Sequence, residues 1–228
     1  TGRAYVANGE EGFAILNVSN FPITLGGQFT SDAMVAKSVS VANGLAFVGV
    51  DNSGLRIFDV TTPSTPYLRG TLNLNAGVSN ISAHGAKLYL TTDCQDNGLQ
   101  VVDVSNPSLP QLRYSSPEDD VCYFGSVVAN GLLFTSGGIL QTPPYQLFMR
   151  VFSLGNPDIP SNSQTASYSM QSSFPRGIVL SSTFAYVAGA AAGLQIVDIG
   201  NPNAPMPRGT YTISGRQVAS VAVANNFA

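Results

Sequence analysis

The sequence predicts an all-β fold, a β-propeller of five four-stranded blades, and three observations lead there. The first is a phrase that recurs along the chain. It reads Gly12-Phe13-Ala14-Ile15-Leu16-Asn17-Val18, then Gly54-Leu55-Arg56-Ile57-Phe58-Asp59-Val60, then Gly98-Leu99-Gln100-Val101-Val102-Asp103-Val104, then Gly193-Leu194-Gln195-Ile196-Val197-Asp198-Ile199. A looser copy, Phe148-Met149-Arg150-Val151-Phe152-Ser153-Leu154, stands before the last. The second observation is the spacing. Starts at 12, 54, 98, 148 and 193 differ by 42, 44, 50 and 45 residues, and a strand-rich period of roughly 40–45 residues is a propeller signature. The third is that the two ends complement each other. The chain opens on a second-type strand, Arg3–Ala7, and closes on an inner-type strand, Val218–Ala224.

The third unit shows how each element is justified. Lys87–Thr92 is short, β-branched and aromatic, and reads as a strand. Asp93-Cys94-Gln95-Asp96-Asn97-Gly98 is turn chemistry. Leu99–Val104 is too apolar for a strand with one wet face and suits a sheet covered on both sides. Ser105-Asn106-Pro107-Ser108-Leu109-Pro110 ends it, because proline removes a ladder donor. Asp103 stands just ahead of this turn, as Asp59 does before Thr62-Pro63 and Asp198 before Asn201-Pro202. A short carboxylate there caps the turn by accepting its backbone N–H groups. An outer strand follows at Gln111–Ser115, then an inner strand, Tyr123–Ala129, that ends in the hairpin signal Asn130-Gly131.

The inner runs of the other units are Val35–Ala42, Val78–Ala83, Gly177–Ser181 and Val218–Ala224. Small residues dominate them, which fits strands crowded near an axis. The units span about residues 3–43, 45–85, 87–130, 132–182 and 184–225, one propeller domain over 1–228. Pairing of Val218–Ala224 with Arg3–Ala7 would close the ring at five blades and remove an exposed edge. The rival expectation is a longer ring of six or seven blades, because Phe227-Ala228 matches Leu45-Ala46 and Phe184-Ala185, the starts of second strands.

The phrase Gly193–Ile199 followed by Asn201-Pro202 and Pro205 resembles the LVIVD repeat family. Gly98–Val104 with Asn106-Pro107 and Pro110, and Gly54–Val60 with Pro63 and Pro66, are further good copies. The first unit departs by Asn17 and Phe21, and the fourth by Ser153 and the missing leading glycine. The resemblance covers nearly the whole chain. It implies an extracellular or cell-surface propeller and supplies no catalytic motif to carry over.

Composition narrows the function classes. Only 10% of the 228 residues are charged, with a net charge of −3, against about 25% in an average soluble protein. The basic field that nucleic acid binding needs is missing. No run approaches the ~20 apolar residues of a membrane-spanning helix. Low charge with abundant Ser, Thr and Asn accords with a secreted or surface-displayed chain. Homo-assembly is neither opposed by charge repulsion nor predicted.

Four sets of residues carry candidate chemistry. Cys94 and Cys122 lie in loops that emerge on one face of adjoining blades, so a disulfide between them is expected, and with it an oxidising compartment. Glu118, Asp119 and Asp120, with Asp93 and Asp96 on the same face, could supply oxygen ligands to Ca²⁺; the plainer reading is a solvated acidic loop, with no cofactor. The long stretch Gly137–Tyr145 of the fourth unit suggests a binding face. There Tyr123, Phe124, Tyr145, Phe174 and Arg176 could form an aromatic platform for a sugar or peptide; the plainer reading is local packing of aromatics between blades. Lastly, the turn caps Asp59, Asp103 and Asp198 are structural.

A glycoside hydrolase needs a pair of carboxylates. The inner strands carry Lys37, Arg176 and Arg216 near their entrances, and acids occur only in the leading loops at Asp32, Asp119 and Asp120. His84 sits at an inner-strand turn with no nucleophile in register. The expectation is therefore a non-catalytic extracellular interaction or structural module, with a protein or glycan partner at the cell surface. A carbohydrate-binding propeller is second and a hydrolase third.

Overall fold

In the computed structural model the chain forms nineteen strands among the described residues, which are 2–31, 34–74, 76–92, 98–116, 121–141, 143–158, 164–170, 174–212 and 214–224. The first sheet is β1 (Arg3–Ala7), β2 (Phe13–Asn17) and β3 (Thr24–Phe29). The second is β4 (Ala36–Ala42), β5 (Leu45–Val50), β6 (Gly54–Asp59) and β7 (Tyr67–Leu72). The third is β8 (Val78–His84), β9 (Lys87–Thr92), β10 (Leu99–Asp103) and β11 (Gln111–Ser115). The fourth is β12 (Val121–Ala129), β13 (Leu132–Ile139), β14 (Gln146–Ser153) and β15 (Gln164–Ser169). The fifth is β16 (Gly177–Ser181), β17 (Phe184–Ala188), β18 (Leu194–Asp198) and β19 (Met206–Tyr211). Every ladder is antiparallel and each sheet runs in chain order, so all five are meanders.

The recurring phrase is the third strand of each four-stranded sheet and the middle strand, β2, of the first sheet. Its leading glycine is required by the backbone: Gly54 and Gly193 sit at φ +77° and +80°. A Cβ on either would run into the outer strand's carbonyl, Leu72 O or Tyr211 O. The five phrase–outer pairings share one irregularity, a single unpaired residue on the outer strand opposite Ile15/Leu16, Ile57/Phe58, Val101/Val102, Val151/Phe152 and Ile196/Val197. Asn130 and Gly131 both take positive φ, 51° and 71°, in the turn between β12 and β13, the geometry that a two-residue hairpin prefers.

The core is four cores, one between each pair of successive sheets. Phe13 and Ile15 pack on Ala46, Val48, Phe58 and Val60. Phe47, Leu55 and Ile57 pack on Leu88, Leu90 and Val102. Tyr89, Leu99 and Val101 pack on Tyr123, Leu133 and Phe152. Phe134, Met149 and Val151 pack on Ala185, Val187 and Val197. Each sheet contacts its sequence neighbours, as in a repeat array.

Three features differ from the sequence expectation. The first sheet has three strands, not four, among the described residues, and β1 pairs there with β2 alone. Residues 218–224 form no ladder with β1 there; Val218 instead makes a bridge to Ala190. The long stretch of the fourth unit begins as strand: Gly137, Gly138 and Ile139 pair with Phe148, Leu147 and Gln146, and residues 140, 141 and 143–145 lie outside the strands. The extra residues lengthen a hairpin because Leu147 and Phe148 find buried places beside the preceding and following blades.

Candidate ligand face

Meander topology puts two kinds of connection at one end of the blades, the hairpins between second and third strands and the crossings from an outer strand to the next inner strand. The inner strands neighbour one another, β4 beside β8, β8 beside β12 and β12 beside β16. Three of them carry a bulge at this end. The ladder skips Lys37 in β4, Ser79 in β8 and Phe124 in β12. A bulge re-aims the extra side chain away from the alternation of its strand.

At β12 the bulge separates Tyr123 from Phe124. Tyr123 is a core residue at 3% exposure and packs edge-on against Phe148 and Phe152. Its hydroxyl accepts a hydrogen bond from Arg150 Nη1 at 3.0 Å, while that guanidinium lies 4.1 Å from the Phe148 ring centroid. Tyr123 therefore does not belong to the platform, which corrects the sequence expectation. Phe124, sent the other way, meets Phe174 at the approach to β16, centroids 6.4 Å apart at 83°. Tyr145, just before β14, tilts onto Phe174 at 5.6 Å and 46°. Such edge and tilted contacts are favoured aromatic geometries. Phe174 is 39% exposed and Tyr145 46%. Arg176 is exposed two residues beyond Phe174, its backbone N–H held by Ala188 O at 2.7 Å. Lys37, the bulged residue of β4, is neutralised by Asp51 at 2.7 Å.

The other candidates resolve as follows. Asp93, Cys94, Asp96, Glu118, Asp119 and Asp120 lie outside the described residues. Among the described residues no three His, Cys, Asp or Glu side chains converge as a metal set. Cys122 is buried near the start of β12. Asp59 Oδ1 accepts from Thr61 N–H at 3.1 Å, Asp103 Oδ1 from Ser105 N–H at 2.8 Å, and Asp198 Oδ1 from Gly200 N–H at 2.9 Å. Ser153, which replaces the aspartate in the looser phrase, accepts the Gly155 N–H in the same way at 3.3 Å. Hydrogen bonds from Thr61 hold the Asp59 carboxyl below the ordinary carboxylate range, with Tyr67 and Arg69 adding to the effect.

Sequence reasoning did not find the bonds that join blades. Ser38 Oγ donates to Val78 O at 2.8 Å. Asn80 Oδ1 accepts from both the N–H and the hydroxyl of Ser126, at 3.1 and 2.8 Å, and Ser82 Oγ donates to Ser126 O at 3.1 Å. The small polar residues of the inner strands thus sew neighbouring blades together. A second clasp joins blades three and four at their far end. Lys87 Nζ lies 2.9 Å from Asp103 Oδ2 and 2.5 Å from Asp158 Oδ1, and Tyr89 OH donates to Pro157 O at 3.2 Å. Burial and the Asp158 charge push the Tyr89 phenol up to about 12. Burial alone would lower Lys87; the two carboxylates outweigh it and hold the ammonium above its usual value. Leu132 and Phe134 occupy the matching places of the next junction, where a cleft of about 570 Å³ opens against Leu180 and Pro202.

Solved structures similar to this chain define the class. The Myceliophteria thermophila Cps50 (Swd1) beta-propeller domain matches at TM-score 0.69 and 11% identity, over 93% of this chain and 70% of that one. The computationally designed Ika8 protein matches at TM-score 0.65 and 8% identity, covering 99% of this chain, which spans only 64% of the designed one. The designed Ika4 protein matches at TM-score 0.55 and 8% identity, over 77% of this chain and 98% of its own. At such identities the likeness is one of fold, and the fold is a β-propeller. The LVIVD repeat matches at residues 2–22, 35–73, 78–116 and 175–213, more than half of the length, so the chain belongs to the LVIVD repeat family. No curated protein sequence matches it.

Proposed function

We propose that this chain is a non-catalytic, extracellular interaction module whose ligand face is built from Phe124, Tyr145, Phe174 and Arg176. The observation that supports this is the meeting of three aromatic rings from two adjacent blades, two of them more than a third exposed, with the exposed Arg176 two residues beyond Phe174. Exposed aromatic rings with a polar handle are typical anchors of recognition surfaces. A surface glycan is the second reading, because an apolar sugar face stacks on such rings while Arg176 donates to its oxygens. A panel of glycans and extended peptides probed with the wild type and with the double variant Tyr145→Ala/Phe174→Ala tests both. Binding that is lost in the variant at unchanged Tm supports the face, and the class of ligand retained by the wild type chooses between peptide and glycan. Equal binding by both proteins removes the face from the account. Turnover of any chromogenic glycoside would replace it with a hydrolase.

Two finer features belong to the same proposal. The ring closes at five blades by pairing residues 218–224 with β1. Two observations support it: residues 218–224 are inner-type, since Val218 bridges Ala190 as Ala36 bridges Gly9 and Ser220-Val221-Ala222-Val223-Ala224-Asn225 echoes Ser38-Val39-Ser40-Val41-Ala42-Asn43, and β1 is a second-type strand whose sheet has no inner strand among the described residues. Cys94 pairs with Cys122, which supports an oxidising, extracellular setting. Cys122 has no free thiol, and the chain contains two cysteines in all. No cofactor is part of the proposal. Millimolar calcium should leave the Tm unchanged, and a rise would return Asp93, Asp96, Glu118, Asp119 and Asp120 to consideration as ligands.

A further inference from the structure

We infer that the cleft between blades four and five is a binding site for a small uncharged molecule with an apolar body and a hydrogen-bond donor. It opens among the hairpins between first and second strands, at the end of the blades opposite Phe124, Tyr145 and Phe174, and is independent of that face. Phe134 and Ile199, both buried, form its floor. Leu132, Leu180 and Pro202 are half-buried walls, and Asn130, Ser182 and Thr183 make an exposed polar rim. Its volume of about 570 Å³ lies within the range of ligand pockets, about 300–1,000 Å³.

The repeat register explains why a cleft opens at this junction. In β3 a Cβ on Gly27 would collide with Pro63 O, and in β7 a Cβ on Gly70 would collide with Pro107 O. These glycines let the turn after the next blade's phrase lie against the outer strand. Ala166 holds the same register in β15, opposite Val151 as Gly70 lies opposite Ile57. Its methyl group keeps the Pro202 turn from coming in as close. Tyr114 stands at this register in the third blade, opposite Val101, but there the gap is plugged. Lys87 reaches both Asp103 and Asp158, and Tyr89 donates to Pro157 O.

The plug has no counterpart one junction further on. Leu132 and Phe134 stand for Lys87 and Tyr89, and Ser153 and Asn203 for Asp103 and Asp158. Leucine is shorter than lysine and carries no charge. Phe134 has no hydroxyl, so the Pro202 carbonyl receives none and is left for a donor from outside. None of the residues lining the cleft is charged. An ionised ligand would lose hydration there with no counter-charge to offset it. An apolar body is held by the area it buries on the floor and walls.

N-phenyl-1-naphthylamine, a neutral molecule of apolar rings with one N–H, is the probe for the test; its emission rises on leaving water. Its anionic relative 1-anilinonaphthalene-8-sulfonate tests the choice of charge. Two variants of the whole chain close the cleft by different means. Leu132→Lys/Phe134→Tyr/Asn203→Asp transplants the plug of the preceding junction. Gly200→Leu fills the cleft from its wall, where an added Cβ meets nothing nearer than 3.2 Å. The expected result is saturable binding of the neutral probe by the wild type, lost in both variants at a Tm that shows them folded. Tyr145→Ala/Phe174→Ala should bind the neutral probe as the wild type does, so this site and the ligand face stand or fall separately. No saturable binding, or binding that survives both closures, would overturn the site. Binding lost in Tyr145→Ala/Phe174→Ala would assign the probe to the aromatic face and overturn it as well. Equal affinity for the anionic relative would overturn the uncharged class.

Discussion

Asn80→Ala should be among the costliest polar substitutions in the molecule. The Asn80 side-chain oxygen receives two hydrogen bonds from one residue of the next blade, Ser126 N–H at 3.1 Å and Ser126 Oγ at 2.8 Å. Ser126 is buried, so water cannot readily replace the lost acceptor. Each bond contributes about 0.5–1.5 kcal/mol net, and a buried donor left without a partner costs about 1–3 kcal/mol. Together the expected loss is about 2–4 kcal/mol, which for a chain of this length lowers Tm by about 4–16 °C. Ser82→Ala, which removes a single bond to Ser126 O at 3.1 Å, should cost about 1 kcal/mol. Urea titration of Asn80→Ala, Ser126→Ala and the double variant gives a cycle, and a coupling of at least about 1 kcal/mol is expected for residues in one network. An Asn80→Ala variant within about 0.5 kcal/mol of the wild type, with additive singles, would refute the idea that inner-strand polar groups hold adjacent blades together.

Other consequences follow from the same geometry. Tyr89→Phe should cost about 0.5–1.5 kcal/mol through loss of the bond to Pro157 O, measured by denaturant unfolding. Phe134 in the next blade shows that the ring itself fits such a site. Asp103 is held well below the usual carboxylate range by the Lys87 ammonium and then by Ser105. Its contribution is present above the unfolded value of about 3.9 and is lost as pH falls through the depressed folded value. The Tm gap between wild type and Asp103→Asn should therefore be widest near neutrality and shrink below about pH 4; a gap independent of pH would contradict this. Thiol titration of the denatured, unreduced chain should find none free. Reduction should destabilise by about 3–4 kcal/mol, the chain-entropy value for cysteines roughly 28 residues apart; two titratable thiols would remove the disulfide.

The strands within a blade were legible because each is a short apolar run between turn signals. Lys87–Thr92, Gln111–Ser115 and Gly177–Ser181 are strands with those same bounds. The inner-strand bulges were not legible. Simple alternation already sets the adjacent Tyr123 and Phe124 on opposite faces, but the unpaired residue at Phe124 resets the facing of everything before it, and that decides that Tyr123 is the ring turned inward. The stretch Gly137–Ile139 looked like a loop because its glycines carry no β-propensity. Its pairing is decided by Leu147 and Phe148 across the ladder. Contacts between blades were invisible for a different reason. Asn80 and Ser126 are 46 positions apart, and no local pattern marks a hydrogen bond that exists only once two sheets lie side by side. The three-ring cluster was half legible: its residues could be named, but only the packing of the fifth blade on the fourth separates Phe124, Tyr145 and Phe174 from the buried Tyr123.

The chain contains no tryptophan, so Tyr145→Trp places a single fluorophore on the proposed ligand face. The emission of this variant, titrated with whichever peptide or glycan the wild type binds by calorimetry, tests the account most directly. A saturable shift in emission with the calorimetric Kd is the result predicted. Calorimetric binding that leaves the emission unmoved would contradict it and place the ligand on another part of the propeller.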